Sequence, residues 1–374
     1  MVTLSLDPEE GNRSLVLKNV LITGGAGFIG IRLAESLCRA SHNVTVLDNF
    51  HPQVHSDADA TMKKLSDIGV KVLLGDINDI PGTTTVLKDS RAQIVVHLAA
   101  ETGTGQSYEL PLQYCRTNVS GTAGLVEAIR KTDGAVERII LASSRAVYGE
   151  GACVDGDGRL LTAVPRLSAH MSAKDFEPRD IDGNRVTPVA SAARHTQPAP
   201  SSIYASTKLM QEYIIQQGFE QTEISCGILR LQNVYGAGQS LHNPYTGVLS
   251  IFAQILLQGG VLDIYEDGHI SRDFIHVSDV VQAIHKMCEI DQVPNSIIDI
   301  GSGCSETILG VVKLMLHDIN EGENRYRITG NFRPGDIRHA LADIKLAEDT
   351  LGWKPKVSLR DGLSELMGWA RAAS

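Results

Sequence analysis

Hydrophobic positions in the first half of the chain follow two alternating patterns. Short apolar runs such as NVLIT at 19–23 predict buried parallel strands, because such strands are covered on both faces. Apolar residues three and four positions apart, such as Ile29, Leu33 and Leu37, predict a helix, and NVSGTAGLVEAIRK predicts another from near Asn118. Strands that alternate with helices predict a doubly wound parallel sheet, an α/β fold of the Rossmann type.

The turn after the first predicted strand is rich in glycine. Gly24, Gly27 and Gly30 are spaced three residues apart between a strand and a helix. Glycine lets the backbone approach a pyrophosphate closely, and the helix that follows offers unpaired N–H groups to it. The second predicted strand ends in Asp48, whose carboxylate can accept hydrogen bonds from ribose hydroxyls and repels a 2′-phosphate. We therefore expect NAD rather than NADP as the cofactor.

Tyr204 precedes Lys208 by four residues in the segment IYASTKLMQEY. On a helix these two side chains lie on the same face, and a nearby ammonium group lowers the pKa of a phenol. An isolated tyrosine titrates near ~10, so this spacing would provide a general base at neutral pH. Taken alone, the pair is more typical of an ordinary amphipathic helix with a buried tyrosine and a solvated lysine.

Composition limits the classes of function. The chain has 374 residues, 43% of them hydrophobic, which suits one large α/β domain with an appended lobe or two domains. Its net charge of −10 argues against nucleic acid or an anionic membrane as the main partner. The six cysteines form no CxxC pair, and no apolar run approaches the ~20 residues that a membrane span needs. The first residues lack the apolar core of a signal peptide, so we expect a cytoplasmic protein. From the cysteine spacing we expect no metal site.

Three motifs together resemble the extended short-chain dehydrogenases/reductases, the class that contains nucleotide-sugar epimerases and dehydratases. They are TGGAGFIG at 23–30, SSRAVYG at 143–149 and YASTK at 204–208. The resemblance continues through LRLQNVYGAGQ, RDFIHVSDVV, RPGDIRHALADI and GWKP, so that it covers nearly the whole chain.

A domain division follows from these motifs. We expect the NAD-binding Rossmann domain at 15–235, with a polar insertion at about 151–200. A smaller discontinuous α/β lobe, formed by 236–273 and 303–374, would bind the substrate, while 274–302 returns to the Rossmann domain.

The resemblance also implies roles for individual residues. Tyr204 is similar to the family's catalytic base, Lys208 to its partner, and Ser144 to the residue that hydrogen-bonds the sugar oxygen. The residues expected to bind NAD are Gly24, Gly27, Phe28, Ile29, Gly30, Asp48, Asn49, Asp76, Ile77, Leu98, Ala99, Ala100, Asn118, Ser143, Tyr204 and Lys208. Those expected to bind a nucleotide-diphosphate sugar are Thr102, Gly103, Thr104, Ser144, Arg145, Asn233, Arg272 and Arg333, the last two through its diphosphate.

The strand end at 144–149 favours one reaction within this class. Dehydratases of the family read TDEVYG there, because elimination needs an acid and a base beyond the tyrosine. Here Arg145 and Ala146 replace the two carboxylic acids. A 4-epimerase needs only oxidation at C4, rotation of the keto sugar and re-reduction, so this reaction is favoured. Decarboxylation of a 4-keto uronic acid needs little more and remains an alternative.

Two further stretches narrow the expected substrate. LDNFHPQVH and AAETGTGQSYE are similar to bacterial dTDP-L-rhamnose 4-epimerases, which make dTDP-6-deoxy-L-talose. This resemblance implies a dTDP-6-deoxyhexose substrate. UDP-glucose or UDP-glucuronate 4-epimerases, dehydratases and decarboxylases remain alternatives, as does a non-catalytic NAD-binding protein from outside the class.

The interval 151–200 and two predicted helices bear on how the protein covers its site and assembles. The interval 151–200 is polar and contains a single cysteine, Cys153, which excludes a four-cysteine zinc site within it. We expect a surface lid or an oligomer-contact loop there. The helices predicted at 112–131 and 203–217 are those that the family packs between two subunits, so a homodimer is expected.

Overall fold

The structure, a computed structural model, describes residues 17–55, 57–132, 134–241, 247–294 and 296–373. Its strands are β1 (Asn19–Thr23), β2 (Asn43–Asp48), β3 (Lys71–Leu74), β4 (Ile94–His97), β5 (Arg138–Ser144), β6 (Ala152–Val154), β7 (Leu160–Thr162), β8 (Thr187–Pro188), β9 (Ser225–Leu231), β10 (Asn233–Tyr235), β11 (Leu262–Ile264), β12 (Ser271–His276), β13 (Ile298–Ile300), β14 (Ser305–Thr307) and β15 (Tyr326–Ile328).

The α-helices lie between these strands and at the C-terminal end. They are α1 (Phe28–Arg39), α2 (Ala58–Asp67), α3 (Ile80–Ser90), α4 (Thr104–Glu109), α5 (Pro111–Tyr114), α6 (Gly121–Arg130), α7 (Ser168–Ser172), α8 (Ile203–Phe219), α9 (Val248–Leu257), α10 (Val277–Glu289), α11 (Ile308–Asp318), α12 (Lys345–Leu351) and α13 (Leu359–Ala373). Within the parts of the chain that the structure describes, no helix is both long enough and apolar enough to span a bilayer.

The centre of the fold is a parallel seven-stranded sheet in the order β13-β9-β5-β4-β1-β2-β3. One face packs against α1 and α10 through side chains such as Leu33 and Val280, and the other packs against α3, α6 and α8. The chain leaves β1 in one direction to β2 and β3 and then returns to β4 on its other side. The predicted doubly wound α/β fold is confirmed, and its topological switch point lies between β1 and β4, where ligands of such sheets bind.

A smaller lobe stands beside the sheet. Its core is formed by α9, α11 and α13 with buried residues such as Phe252, Met315 and Leu366. Two small sheets, β10-β12-β14 and β11-β15, complete it. The chain enters the lobe after β9, returns to the edge of the main sheet at β13 and enters the lobe again at β14. The lobe is therefore discontinuous in sequence.

The interval 151–200 is a folded unit, and its expected role as a lid or an oligomer-contact loop stays a prediction. It contains the sheet β7-β6-β8 and a small core around Cys153, Ala163 and Val186. Buried Arg166 ties it to the rest of the protein through Glu150 at 3.0 Å and Glu266 at 2.8 Å. The core residues are far apart in sequence and show no period, so the hydrophobic pattern did not indicate this unit.

The helix predicted from near Asn118 begins earlier. The helical segment starts at Pro111, a residue favoured in the first turn, and runs through a π-helical turn at Cys115–Ser120 into α6. Asn118 therefore lies within the segment and not at its N-terminus. Its buried side chain bonds the backbone of Glu101 and the hydroxyl of Thr207 on α8.

A buried polar network joins the two central strands to the helices behind them. At the end of β4, His97 bonds Thr23 of β1 at 2.7 Å and Thr122 of α6 at 2.9 Å. Gln211 of α8 donates to Thr122 at 2.8 Å. Burial, and secondarily the charge of Lys208, lowers the pKa of His97 to about 3. The ring is therefore neutral in the folded protein throughout the physiological range.

Neutral burial of His97 makes stability depend on pH in a defined direction. The unfolded chain protonates this ring below about 6.5, while the folded protein does so only near 3, so stability is lost as the pH falls through this window. Between pH 6.5 and 4.5 we expect the free energy of unfolding of the wild type to fall by about 2–3 kcal/mol more than that of the His97→Gln variant, at about 1.4 kcal/mol per pH unit. Denaturant titrations at both pH values measure the difference. His317→Gln, at an exposed position, is the control, and equal losses in wild type and His97→Gln would contradict the assignment.

Candidate active site

A cleft with a volume of about 880 Å³ opens at the carboxyl ends of the central strands and extends to the small lobe. Most of the predicted site residues line it. On the cofactor side these are Gly24, Gly27, Phe28, Ile29, Gly30, Asp48, Asn49, Asp76, Ile77, Leu98, Ala99, Ala100, Ser143, Tyr204 and Lys208, and on the other side Thr102, Thr104, Ser144, Arg145, Asn233 and Arg272.

The glycine turn is closely packed and leaves a helix end open to the cleft. A Cβ at Gly24, whose φ is +69°, would lie 2.6 Å from the nitrogen of Ala99, and one at Gly30 would lie 2.5 Å from Cα of Gly25. The 12-residue helix α1 follows, and no side chain caps its N-terminus at Gly27. Its unpaired N–H groups and positive dipole end suit the pyrophosphate of a dinucleotide. These residues fit NAD.

The carboxylate of Asp48 is fixed at the end of β2. It accepts hydrogen bonds from the backbone N–H groups of Ala26 at 3.0 Å and Phe50 at 2.9 Å, and His55 Nε2 lies 3.5 Å away. His55 also lines the cleft, and although it lies in the segment LDNFHPQVH, no motif in the sequence marked it as a site residue. Burial acts to raise the pKa of Asp76 in the neighbouring loop, but hydrogen bonds, chiefly from Asn78, lower it overall. Hydrogen bonding therefore favours the charged form of Asp76 beside the expected ribose position.

Tyr204 of α8 and Ser144 at the end of β5 both line the cleft, and Ser144 acts to lower the pKa of the phenol. Lys208 lies one turn further along α8 and donates to the carbonyl oxygen of Ala142 at 2.7 Å. Burial lowers the pKa of Lys208 to about 7, while the carboxylate of Glu212 acts to raise it.

One expectation for this pair is wrong in the protein alone. Burial raises the pKa of Tyr204, and the nearby hydroxyl of Ser144 offsets this only partly. The Lys208 ammonium is bound to a main-chain oxygen, so its position on the same helix face does not by itself lower the phenol pKa. Desolvation of both groups is the physical reason.

Three predicted residues do not line the cleft among the residues described. Asn118 is bound to Glu101 and Thr207 and holds the loop after β4 against α8. Gly103, with φ of +111°, is the residue before α4 in that loop. Arg333 is exposed and lies over the ring of Tyr265 at 5.0 Å.

The wall formed by the small lobe carries unpaired polar groups. Side-chain atoms of Gln232 and Asn233 are buried without a hydrogen-bond partner among the described residues, and both residues line the cleft. Arg272 lines it as well and pairs with Asp336 at 2.8 Å. Gln232 directly precedes the NVYG motif, and its polarity at the end of a buried strand was the available signal.

A cluster of metal-ligating residue types lies at the opposite ends of the strands. It consists of His42, which precedes β2, with His285 and Glu289 of α10. The backbone N–H of Lys18 donates to His42 Nδ1, so the neutral ring carries its proton on Nε2, the atom that faces Glu289. That atom therefore offers no lone pair, and the absence of a metal site stays a prediction.

Comparison with known proteins agrees with the fold and the cleft. The model of the "NAD dependent epimerase/dehydratase family" matches residues 20–301. The chain is 40% identical over 359 residues to a dTDP-L-rhamnose 4-epimerase of Burkholderia thailandensis, with 96% of each chain covered. It is 27% identical to a UDP-glucose 4-epimerase of Bacillus subtilis, over 94% of this chain and 96% of the relative.

Solved structures give the same picture. The UDP-glucose 4-epimerase of Thermotoga maritima with UDP-glucose superposes with a TM-score of 0.77 at 26% identity, covering 95% of this chain and 99% of the other. That of Thermus thermophilus in complex with NAD gives a TM-score of 0.75 at 26% identity over the same shares. The resemblance drawn from the sequence motifs is confirmed, and the chain belongs to the NAD dependent epimerase/dehydratase family.

Proposed function

We propose that this protein is an NAD-dependent nucleotide-sugar 4-epimerase that acts on a dTDP-6-deoxyhexose, interconverting dTDP-L-rhamnose and dTDP-6-deoxy-L-talose. The observation that carries the reaction type is that Ser144 and Tyr204 line one cleft beside the glycine turn, at a strand end where Arg145 and Ala146 provide no carboxylic acid. The substrate is supported by the 40% identity to the Burkholderia enzyme over 96% of both chains.

The residues of the cleft divide the chemistry between them. NAD, when bound, supplies the hydride acceptor and donor and a positive charge beside the site. Tyr204 takes the proton from the C4 hydroxyl and later returns it, and Ser144 keeps the sugar oxygen and the phenol in one hydrogen-bonded line. Lys208, when protonated, stabilises the phenolate that forms. Because burial raises the pKa of Tyr204, the protein alone holds the phenol neutral until positive charge is placed beside it.

The surrounding residues bind and orient the two ligands. The α1 N-terminus at Gly27 would hold the pyrophosphate of NAD, and Asp48 its adenosine ribose. Gln232 and Asn233 offer unpaired polar atoms to the sugar. Arg272, whose Nη atoms bind Asp336 and main-chain carbonyl oxygens, offers its positive charge to the diphosphate. Asn118 acts at a distance by fixing the loop that carries Thr102 and Thr104, and the role of Arg333 at the diphosphate stays a prediction.

The proposal includes a cytoplasmic homodimer. Apolar side chains are exposed on neighbouring helices, with Leu112 of α5 80% exposed and Met210 and Tyr213 of α8 also exposed. α5 packs against α8, so these side chains belong to adjoining surfaces. Burying them against a second copy would remove apolar area from water, which is the usual driving force for such an interface.

The fate of the hydrogen at C4 tests the proposed reaction. dTDP-L-rhamnose deuterated at C4 should yield its C4 epimer with the label retained, because the same hydrogen is removed and returned within one site. NMR of the products from a panel of dTDP-, UDP- and GDP-sugars gives the readout. UDP-glucose and UDP-glucuronate test the alternative 4-epimerases. A 4-keto-6-deoxy product, loss of CO₂, or tight NAD binding without turnover would replace the epimerase by a dehydratase, a decarboxylase or a non-catalytic protein.

A substitution at Tyr204 tests its role as the base. Tyr204→Phe should fold and bind NAD but lose at least about 100-fold in turnover, the scale of a general-base contribution. Tyr213→Phe, nine residues along the same helix and exposed, is the matched control and should keep wild-type activity. Turnover of Tyr204→Phe close to that of the control would remove this tyrosine from the mechanism.

A substitution at Leu112 tests the proposed dimer interface. Light scattering should give a dimer for the wild type and a monomer for Leu112→Arg, because a buried unpaired guanidinium opposes the interface. Leu160→Arg, at an exposed apolar position on the insertion, should leave the dimer intact. A wild-type monomer, or a dimer in Leu112→Arg, would refute this interface.

A further inference from the structure

Arg145 occupies an unusual position beside the reacting groups. It directly follows Ser144 and begins the 3₁₀ turn Arg145–Tyr148 at the end of β5. Its side chain lines the cleft, yet the residue is only 8% exposed. A guanidinium has therefore been taken out of water at the point where the sugar would lie.

The protein provides this guanidinium with little compensation. Its Nη2 donates to the carbonyl oxygen of Gly149 at 2.8 Å, and its Nε has no hydrogen-bond partner among the described residues. Among the ion pairs formed within the described ranges, none includes Arg145. A buried charge without a counter-charge destabilises a fold, so its retention calls for a functional reason.

The nearby carboxylates are already engaged by other cations. Glu150 binds Arg166 through one oxygen and the backbone N–H of Arg338 through the other. Asp336 pairs with Arg272, which is itself a positive neighbour of Arg145. This part of the cleft wall therefore has an excess of positive charge.

Arg145 stays charged despite its surroundings. Burial, and after it the charge of Arg272, lowers the pKa of Arg145 to about 10. This value lies well above neutral pH, so the group is a cation when substrate binds. The planar guanidinium fork matches the oxygens of phosphates and carboxylates alike.

We propose that Arg145 binds an anionic group of the sugar nucleotide, beside Arg272 in the cleft. The anion is a diphosphate oxygen or a carboxylate at C6 of the sugar, because both present the same chemistry to a guanidinium. The inference rests on the proposed function in taking a sugar nucleotide as the ligand. It adds a residue that selects the charge of the substrate, at the position where a dehydratase carries an acid.

Binding to the NAD-loaded protein tests this without requiring turnover. Calorimetry with dTDP, UDP-glucose and UDP-glucuronate compares the wild type with Arg145→Met, which keeps the volume, and Arg145→Gln, which keeps a donor for Gly149. Loss of a charged hydrogen bond should weaken the affected ligand about 10- to 100-fold. Weaker dTDP binding identifies the diphosphate as the anion. If only the affinity for UDP-glucuronate falls, the anion is the sugar carboxylate. The proposed substrate would then be a uronic acid, and the proposed 4-epimerase reaction would stand.

Thermal unfolding separates binding from a structural role. Because Arg145 is a buried cation without a carboxylate partner, Arg145→Met should unfold at the wild-type temperature or above it. Arg230→Met is the control, since it removes one member of a buried ion pair and should lower the transition. The proposal is overturned if the Arg145 variants bind all three ligands as the wild type does, if the wild type binds none of them, or if Arg145→Met is destabilised with unchanged affinities.

Discussion

The ion pair between Glu212 and Arg230 is the interaction on which the active site depends. Both side chains are almost fully buried, and the guanidinium of Arg230 on β9 holds the carboxylate with two hydrogen bonds of 2.9 and 2.7 Å. The same carboxylate accepts a hydrogen bond from Ser143, next to Ser144 at the end of β5. Glu212 also lies one helical turn beyond Lys208, which lies one turn beyond Tyr204, so all three share a face of α8. One buried carboxylate thus fixes the strand end against the helix that carries the proposed base.

This pair extends into a polar chain that reaches the insertion. Arg230 lies over the ring of Tyr148 at 4.6 Å, and the Tyr148 hydroxyl donates to Asp299 of β13 at 2.7 Å. The other oxygen of Asp299 accepts the backbone N–H of Ala193. Burial raises the pKa of Asp299 to about 7, so its charge depends on these donors. The insertion at 151–200 therefore braces the site, because displacing it would remove the Ala193 N–H from one oxygen of this buried carboxyl group.

Local patterns predicted the parts of this protein that depend on local physics. Gly24 and Asp48 could be predicted as cofactor-binding residues because the strand, turn and helix that place them are formed by neighbouring residues in the sequence. Features that depend on distant segments could not be predicted in this way. The contact of Arg333 with the ring of Tyr265 and the burial that raises the pKa of Tyr204 are both of this kind. The role of Glu212 depends on Arg230, which lies on a strand 18 residues away, and no periodic pattern connects the two.

Electrostatics in the cleft oppose those of the whole molecule. The chain carries a net charge of −10, which by itself would repel a diphosphate. Exposed carboxylates beyond the Debye length of about 8–10 Å are screened by salt, however, whereas buried charges are screened much less. Lys208, Arg145 and Arg272 are all buried and face the same cleft. They place positive charge beside Ser144 and Tyr204, whereas Asp48 and Asp76 line the cofactor side of the same cleft. Arg272 is already paired with Asp336, but Arg145 has no carboxylate partner among the described residues, so its burial costs folding free energy. An anionic ligand beside Arg145 would offset that cost, and the stability lost in burying this cation would be recovered as affinity for the ligand. An acidic surface is thus compatible with binding an anion.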